Sequence, residues 1–336
     1  MKNVKRLGLV RVMSAGAGLA AVAALSAPAS AEQLRASHQW PKDDVRGEMV
    51  EIIKEEVEAA GVDLQLRVYP SASLFKPKQQ WDAMTKGQLD ISAFPLDYAS
   101  GRHPQFSATL MPGLVKNHDH AKRLNDSAFM DDIEQIINDA GVVVLSDAWL
   151  AGGFVGKDFC VTTPESVEGK VMRAAGPAFE QMLAAAGASI NSMPSSEIYS
   201  AMNTGVLDGA NTSSGSLVSY RIYEQSNCLT PPGDYALWFM YEPILMSKRA
   251  FDQLNEAQQD ALMAAGEEAE QFFFEKAKGL DQKLVETYEE AGVEVTQMTK
   301  EQYDAWIDVA QESSYKKFAE EVDGGAELIE KARSVD

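Results

Sequence analysis

The chain is poor in the residues and motifs on which catalytic or metal chemistry is usually built. Its 336 residues include two cysteines and four histidines. Cys160 and Cys228 are too far apart for a CxxC pair, which excludes a redox dithiol or a zinc ribbon of that kind. There is no GxSxG elbow, no HExxH helix and no phosphate-cradling glycine loop, so three common enzyme signatures are missing. Positive charge is also scarce, with 30 Lys and Arg against 50 Asp and Glu and a net charge of −20. Nucleic acid and anionic membrane surfaces are recognised through basic patches, so neither is expected as a partner. After residue 31 no apolar run approaches the about 18–20 residues that span a bilayer. No fixed-period repeat is found, and no low-complexity tract beyond those first residues.

The opening is different in kind. Lys2, Lys5, Arg6 and Arg11 precede an Ala/Leu/Val-rich stretch that ends in Ala29-Ser30-Ala31, the pattern of a secretory leader cut near Ala31. The expected product is exported to the periplasm and is more acidic still once those four cations are removed. In an oxidising compartment Cys160 and Cys228 read as one disulfide, with two separately buried thiols as the alternative.

The rest alternates strand and helix signals. "QLRASHQW" reads as a short strand, and 43–60 as a helix striped by Val45, Met49, Ile53 and Val57 and stopped at Gly61. "DLQLRVYP" has strand period, "QQWDAMTKG" is a short helix and "QLDISAF" another strand. This β-α-β order implies parallel pairing with helices on the sheet faces, an α/β fold. The theme returns through "VVVLSDAW", "KVMR", "PAFEQMLAAAG", "ASINSM", "SSEIYSAMNTG" and "VLDGAN". Residues 254–292 read as one long helix with a capping box at Asn255 and Gln258 and a stop at Gly292. Gly266 and Gly279 inside it allow a bend or a tight crossing. A helix of that length exceeds one lobe and is expected to span two.

Ligands in open α/β sheets gather beyond the carboxyl ends of the strands. Arg173 stands at such an end, followed by Ala174, Ala175 and Gly176, which are too small to cover it. A guanidinium there can grip a carboxylate in two-pronged fashion or be consumed by an ion pair. Trp40, Phe94, Trp149 and Trp238 fall at or near strand ends and could wall a cleft, and Asn211, Thr212 and Ser213 add neutral donors and acceptors. His38 beside Asp43 and Asp44 is the best candidate for an exported hydrolase, but no nucleophile accompanies it. "HDH" at 118–120 reads as a solvated helix start. No metal and no cofactor is expected.

The segment "VEGKVMRAAGPAFEQMLAAAGASINSMPSSEIYSAMNTGVLDGANT", together with "GVVVLSDAW", "YPSASLF", "QQWDAMTKGQLDISAF" and "LNEAQQDALMAAGEEA", resembles the periplasmic solute-binding proteins of TRAP (tripartite ATP-independent periplasmic) transporters, DctP type. The resemblance covers 33–320. It implies two α/β lobes joined by hinge strands, lobe I being 32–153 with 239–279 and lobe II being 154–238 with 280–336. It also implies a long helix bracing both lobes and a ligand enclosed on closure. Arg173 falls on the arginine that the family uses to anchor a ligand carboxylate, and the partners implied are small and large permease subunits. Val155 and Lys157 stand near where sialic-acid-type members carry another arginine, and Gly176 where some place a polar contact. A small monocarboxylate, aromatic or branched, is therefore expected in preference to a sugar acid, with an ectoine-like zwitterion or an amino acid as the alternative.

Overall fold

The computed structural model describes residues 32–336, so the leader expected over 1–31 lies outside the described residues. The first stretch builds β1 (Glu32–Ser37), α1 (Val45–Ala59), β2 (Leu64–Tyr69), α2 (Gln80–Thr85), β3 (Ile91–Ala93), α3 (His118–Asn125), α4 (Ala128–Asp139) and β4 (Val142–Ser146). The Asp44 carboxylate caps α1 by accepting from the Arg46 N–H, and Met49, Val50, Ile53 and Val57 bury the stripe read from the sequence. Leu64 and Leu66 point inward along β2 while Gln65 and Arg67 point out.

The second stretch gives β5 (Trp149–Gly156), β6 (Val171–Ala174), α5 (Pro177–Ala185), β7 (Ser189–Ser192), α6 (Ile198–Asn203), β8 (Gly209–Ser213), α7 (Ser214–Ser219) and β9 (Cys228–Thr230). The last gives β10 (Trp238–Tyr241), β11 (Ile244–Ser247), α8 (Lys248–Phe251), α9 (Glu256–Glu290), β12 (Glu294–Val295), α10 (Lys300–Ala310), α11 (Lys316–Glu321) and α12 (Gly325–Arg333).

Two sheets result. One runs β2-β1-β3-β11-β4, with β1, β2 and β3 parallel and β11 antiparallel to both of its neighbours. The other runs β12-β9-β5-β8-β6-β7, and β10 pairs with the first half of β5. The chain passes from the first lobe to the second between β4 and β5 and returns between β10 and β11. There the two crossing segments are tied by the Glu242 N–H donating to the Ala148 carbonyl at 2.8 Å. Trp149 thus opens the crossing strand, although the sequence suggests that it closes the one before.

The 35-residue α9 is about 52 Å long at 1.5 Å per residue. It carries the expected capping box at Asn255 and Gln258 and packs on α1 and β4 in one lobe and on α7 and β12 in the other. Gly266 is where it crosses most closely, since a Cβ there would lie 1.8 Å from the Leu145 carbonyl oxygen; Gly279 meets nothing within 4 Å. The tail divides between the lobes. α10 packs on α5 of the second, but α12 buries Leu328, Ile329 and Ala332 and packs on α4 of the first, where Lys331 pairs with Asp132 at 2.6 Å. A boundary that assigns all of 280–336 to lobe II therefore separates α12 from the helix it covers.

Cys160 and Cys228 form a disulfide with Cα atoms 5.2 Å apart. Register explains it, because Gly156 of β5 lies opposite Cys228 of β9 and the chain doubles back to Cys160 four residues later. The sulfurs are bonded to each other, so their proximity to Glu294 makes no thiolate metal site. Among the described residues, no helix is long and apolar enough to cross a membrane.

Candidate functional site

The carboxyl ends of β1 and β3 in the first lobe approach those of β6, β7 and β8 in the second, and the charged groups between them differ sharply in how they are satisfied. A guanidinium has five N–H donors. Arg46, in the first turn of α1, uses all five. Nε and Nη2 hold the Asp44 carboxylate at 2.6 and 2.7 Å, Nη1 reaches Ser213 Oγ at 2.9 Å and Glu242 Oε2 at 2.5 Å, and Nη2 also reaches Ser216 Oγ at 3.2 Å. Trp40 lies against it, with the guanidinium carbon 3.9 Å from the ring centroid. Burial opposes ionisation of Asp44, yet the Arg46 charge and hydrogen bonds outweigh it and hold that carboxyl below its ordinary value. At Glu242 burial prevails over the same cation, and the carboxyl sits above its ordinary value.

Arg173, on β6, is as deeply buried, with 1 % of its surface exposed. It makes three hydrogen bonds, all to uncharged oxygens: Nε–H to the Met193 carbonyl at 3.0 Å, Nη1–H to the Asn211 carbonyl at 2.6 Å and Nη2–H to Tyr98 Oη at 3.1 Å. Among the described residues no carboxylate forms an ion pair with it, and one N–H on each terminal nitrogen is left over. An enclosed cation with no carboxylate in direct contact is costly; Glu242 and Asp97 feel its charge without pairing with it. The strand end thus presents an unspent charge and two unspent donors, the requirement for a carboxylate.

The neighbouring residues fall into two groups. Asn211, Thr212 and Ser213 form the buried end of β8, pairing with Phe154, Gly153 and Gly152 of β5. Strand alternation sends Asn211 and Ser213 to one face and Thr212 to the other. Ser213 is taken by Arg46 and by the cap of α7, whereas both amide atoms of Asn211 are buried without partners among the described residues. Gln39, after β1, is in the same state; its side-chain amide has no partner. Sequence reading missed Gln39, which lies two residues beyond the end of β1.

The aromatic residues are mostly committed elsewhere. Trp40 spends its ring face on Arg46 and its N–H on Ser216 Oγ at 3.1 Å. Trp149 donates to Asn125 on α3 at 2.9 Å and packs on Tyr241. Phe94 stands behind Tyr98, edge to face at 6.2 Å. Trp238 lies across Gly152 with its N–H buried and, among the described residues, unpartnered.

His38 stacks on Trp40 and is pushed down to about 4 by burial, so the imidazole is neutral, and Asp44 is already engaged by Arg46. His118 meets Asp281 at 2.9 Å, and His120 lies between the Lys116 N–H and the Val335 carbonyl, which are structural roles. Gly176 carries no polar side chain because there is no room for one. A Cβ at 176 would lie 1.4 Å from Oδ2 of Asp97, which the first lobe presses against the start of α5.

Two α/β lobes closing over strand ends, with an unpaired cation enclosed between them, define a protein that captures a small solute. The family model described as "Bacterial extracellular solute-binding protein, family 7", DctP, matches residues 36–321. A solute-binding protein of Albidiferax ferrireducens is 35% identical over 307 residues, covering 90% of this chain and 91% of that one. A crystal structure of a TRAP periplasmic solute-binding protein from Rhodoferax ferrireducens with bound malonate superposes with a TM-score of 0.87 at 35% identity, over 90% of this chain and 98% of that one. The C4-dicarboxylate-binding periplasmic protein DctP of Rhodobacter capsulatus is 25% identical over 310 residues, 89% of this chain and 91% of the other. The chain belongs to the DctP family and is a TRAP-type extracytoplasmic solute-binding protein.

Proposed function

We propose that this protein captures a small organic acid carrying one carboxylate, with Arg173 as its anchor, and hands it to the small and large subunits of a TRAP permease. One observation carries the reading: of the two buried guanidiniums between the lobes, Arg46 is fully compensated and Arg173 is not. A single unspent cation suits a single carboxylate. Asn211 and Gln39, with unpartnered neutral amides, suit a polar group on the same ligand better than a second charge. Phe94 and Trp238 remain as apolar wall, Thr212 and Ser213 as frame, and Trp40 and Trp149 act from behind the site. The lobes hinge at the crossing segments 147–148 and 242–243. Delivery takes place in the periplasm, after removal of the leader near Ala31. The bound malonate of the 35% identical relative supports an acid ligand.

A thermal-shift panel tests this, with lactate, isovalerate, phenylacetate, pyroglutamate, malonate and succinate, the amides of the monocarboxylates, ectoine, amino acids and neutral sugars. A true ligand at 100 times its Kd adds about 2.7 kcal/mol of stability. The expected outcome is that a small monocarboxylate stabilises the protein and its amide does not. Stabilisation only by neutral compounds, only by the dicarboxylates, or by none, would reject the reading.

A further inference from the structure

Tyr98 lies in the 3-10 turn Leu96–Ala99 that follows β3, and so belongs to the first lobe, yet its hydroxyl sits among groups of the second. Its oxygen accepts the Nη2–H of Arg173 at 3.1 Å and the backbone N–H of Ser195 at 3.0 Å. A phenol oxygen has two lone pairs and one proton. With both lone pairs filled from the second lobe, the O–H can act only as a donor, and among the described residues no acceptor takes it. Arg173 has one unused N–H on the same Nη2 that touches Tyr98. A carboxylate oxygen gripped there comes within reach of the phenol proton.

We infer that Tyr98 is a ligand-contacting residue, giving its hydroxyl proton as a hydrogen bond to the same carboxylate that Arg173 holds and thereby coupling capture of the acid to closure of the lobes. This inference rests on the carboxylate reading above. Tyr98 comes from one lobe and Arg173 and Ser195 from the other, so the three-way contact exists only when the lobes are together. An acid that bridges Arg173 and Tyr98 favours the closed state by that differential contact, as any closure-inducing ligand must. Phe94, edge-on to the Tyr98 ring at 6.2 Å, helps to fix its orientation.

The test is calorimetry on Tyr98→Phe with the tightest-binding acid of the panel, alongside a crystal structure of the wild-type complex. The variant keeps the ring and its packing on Phe94 and loses only the hydroxyl. We expect affinity to fall about 10- to 100-fold, the range for a hydrogen bond to a charged group. In the complex, a carboxylate oxygen should lie within about 2.5–2.8 Å of Tyr98 Oη. Binding within twofold of wild type, or a carboxylate that touches Arg173 but not Tyr98, overturns the inference and leaves the anchor role of Arg173 standing. If the wild type binds no acid of the panel, the carboxylate reading fails and this inference falls with it.

Discussion

Arg46 and Arg173 are the same side chain, both buried, in opposite electrostatic circumstances: one is paired with carboxylates and the other is not. Arg46 pairs with both Asp44 and Glu242, so deleting it leaves two enclosed carboxyl groups without their shared cation. Removing one partner of such a cluster typically costs about 3–5 kcal/mol. Arg46→Met should therefore lower unfolding stability by that order in urea titrations, whatever ligand is present; an unchanged midpoint would show that the cluster contributes nothing. The place of Arg173 at a strand end was legible in the sequence because the apolar run before it and the small residues after it are local properties. Arg46 was not legible, because only Asp44 among its four partners is local and the other three lie 167, 170 and 196 residues away in the chain. Tyr98 was hidden for the same reason, since its neighbours Arg173 and Ser195 come from the other lobe.

Among the elements, those whose signals are contained within themselves could be read directly. The long helix declared its start through Asn255 and Gln258 and its end through Gly292, and α1 through its apolar stripe. β5 was harder, because "VVVLSDAW" reads as one strand that the fold interrupts at Asp147 and Ala148, where the chain changes sheets. The turn Leu96–Ala99 carries Asp97, whose carboxylate oxygens are buried without partners against Gly176. Burial, with the like charge of Glu180 adding to it, pushes Asp97 up to about 8. A carboxyl raised above its unfolded value of about 4 supports the folded state fully at low pH and ceases to do so as pH climbs through the folded value. Wild-type stability should accordingly fall between pH 5 and 8, by at most about 1.4 kcal/mol per pH unit for one proton. Asp97→Asn should flatten that slope in urea titrations across the same range. Parallel profiles for the two proteins would show that Asp97 is ionised in the folded state.

At the scale of the whole molecule, closure is what turns scattered strand ends into a site. Trp40 and Arg46 reach Ser216 and Ser213, Tyr98 reaches Arg173 and Ser195, and Asp97 fits against Gly176, each contact joining the first lobe to the second. The two-lobed α/β architecture followed from the order of strand and helix signals. The division of the C-terminal tail did not, because α12 returns to α4 through tertiary packing that no local pattern encodes. A protein of net charge −20 repels anions at long range, and salt screens that repulsion beyond a Debye length of about 8 Å. Capture of an acid then depends on the short-range charge inside the cleft. Titration calorimetry of the tightest-binding acid against wild type and Arg173→Ala addresses this most directly. Loss of one member of a buried charged pair costs about 2–5 kcal/mol, so affinity should drop at least about tenfold in the variant, whereas equal affinities in the two proteins would contradict the assignment of Arg173 as the anchor.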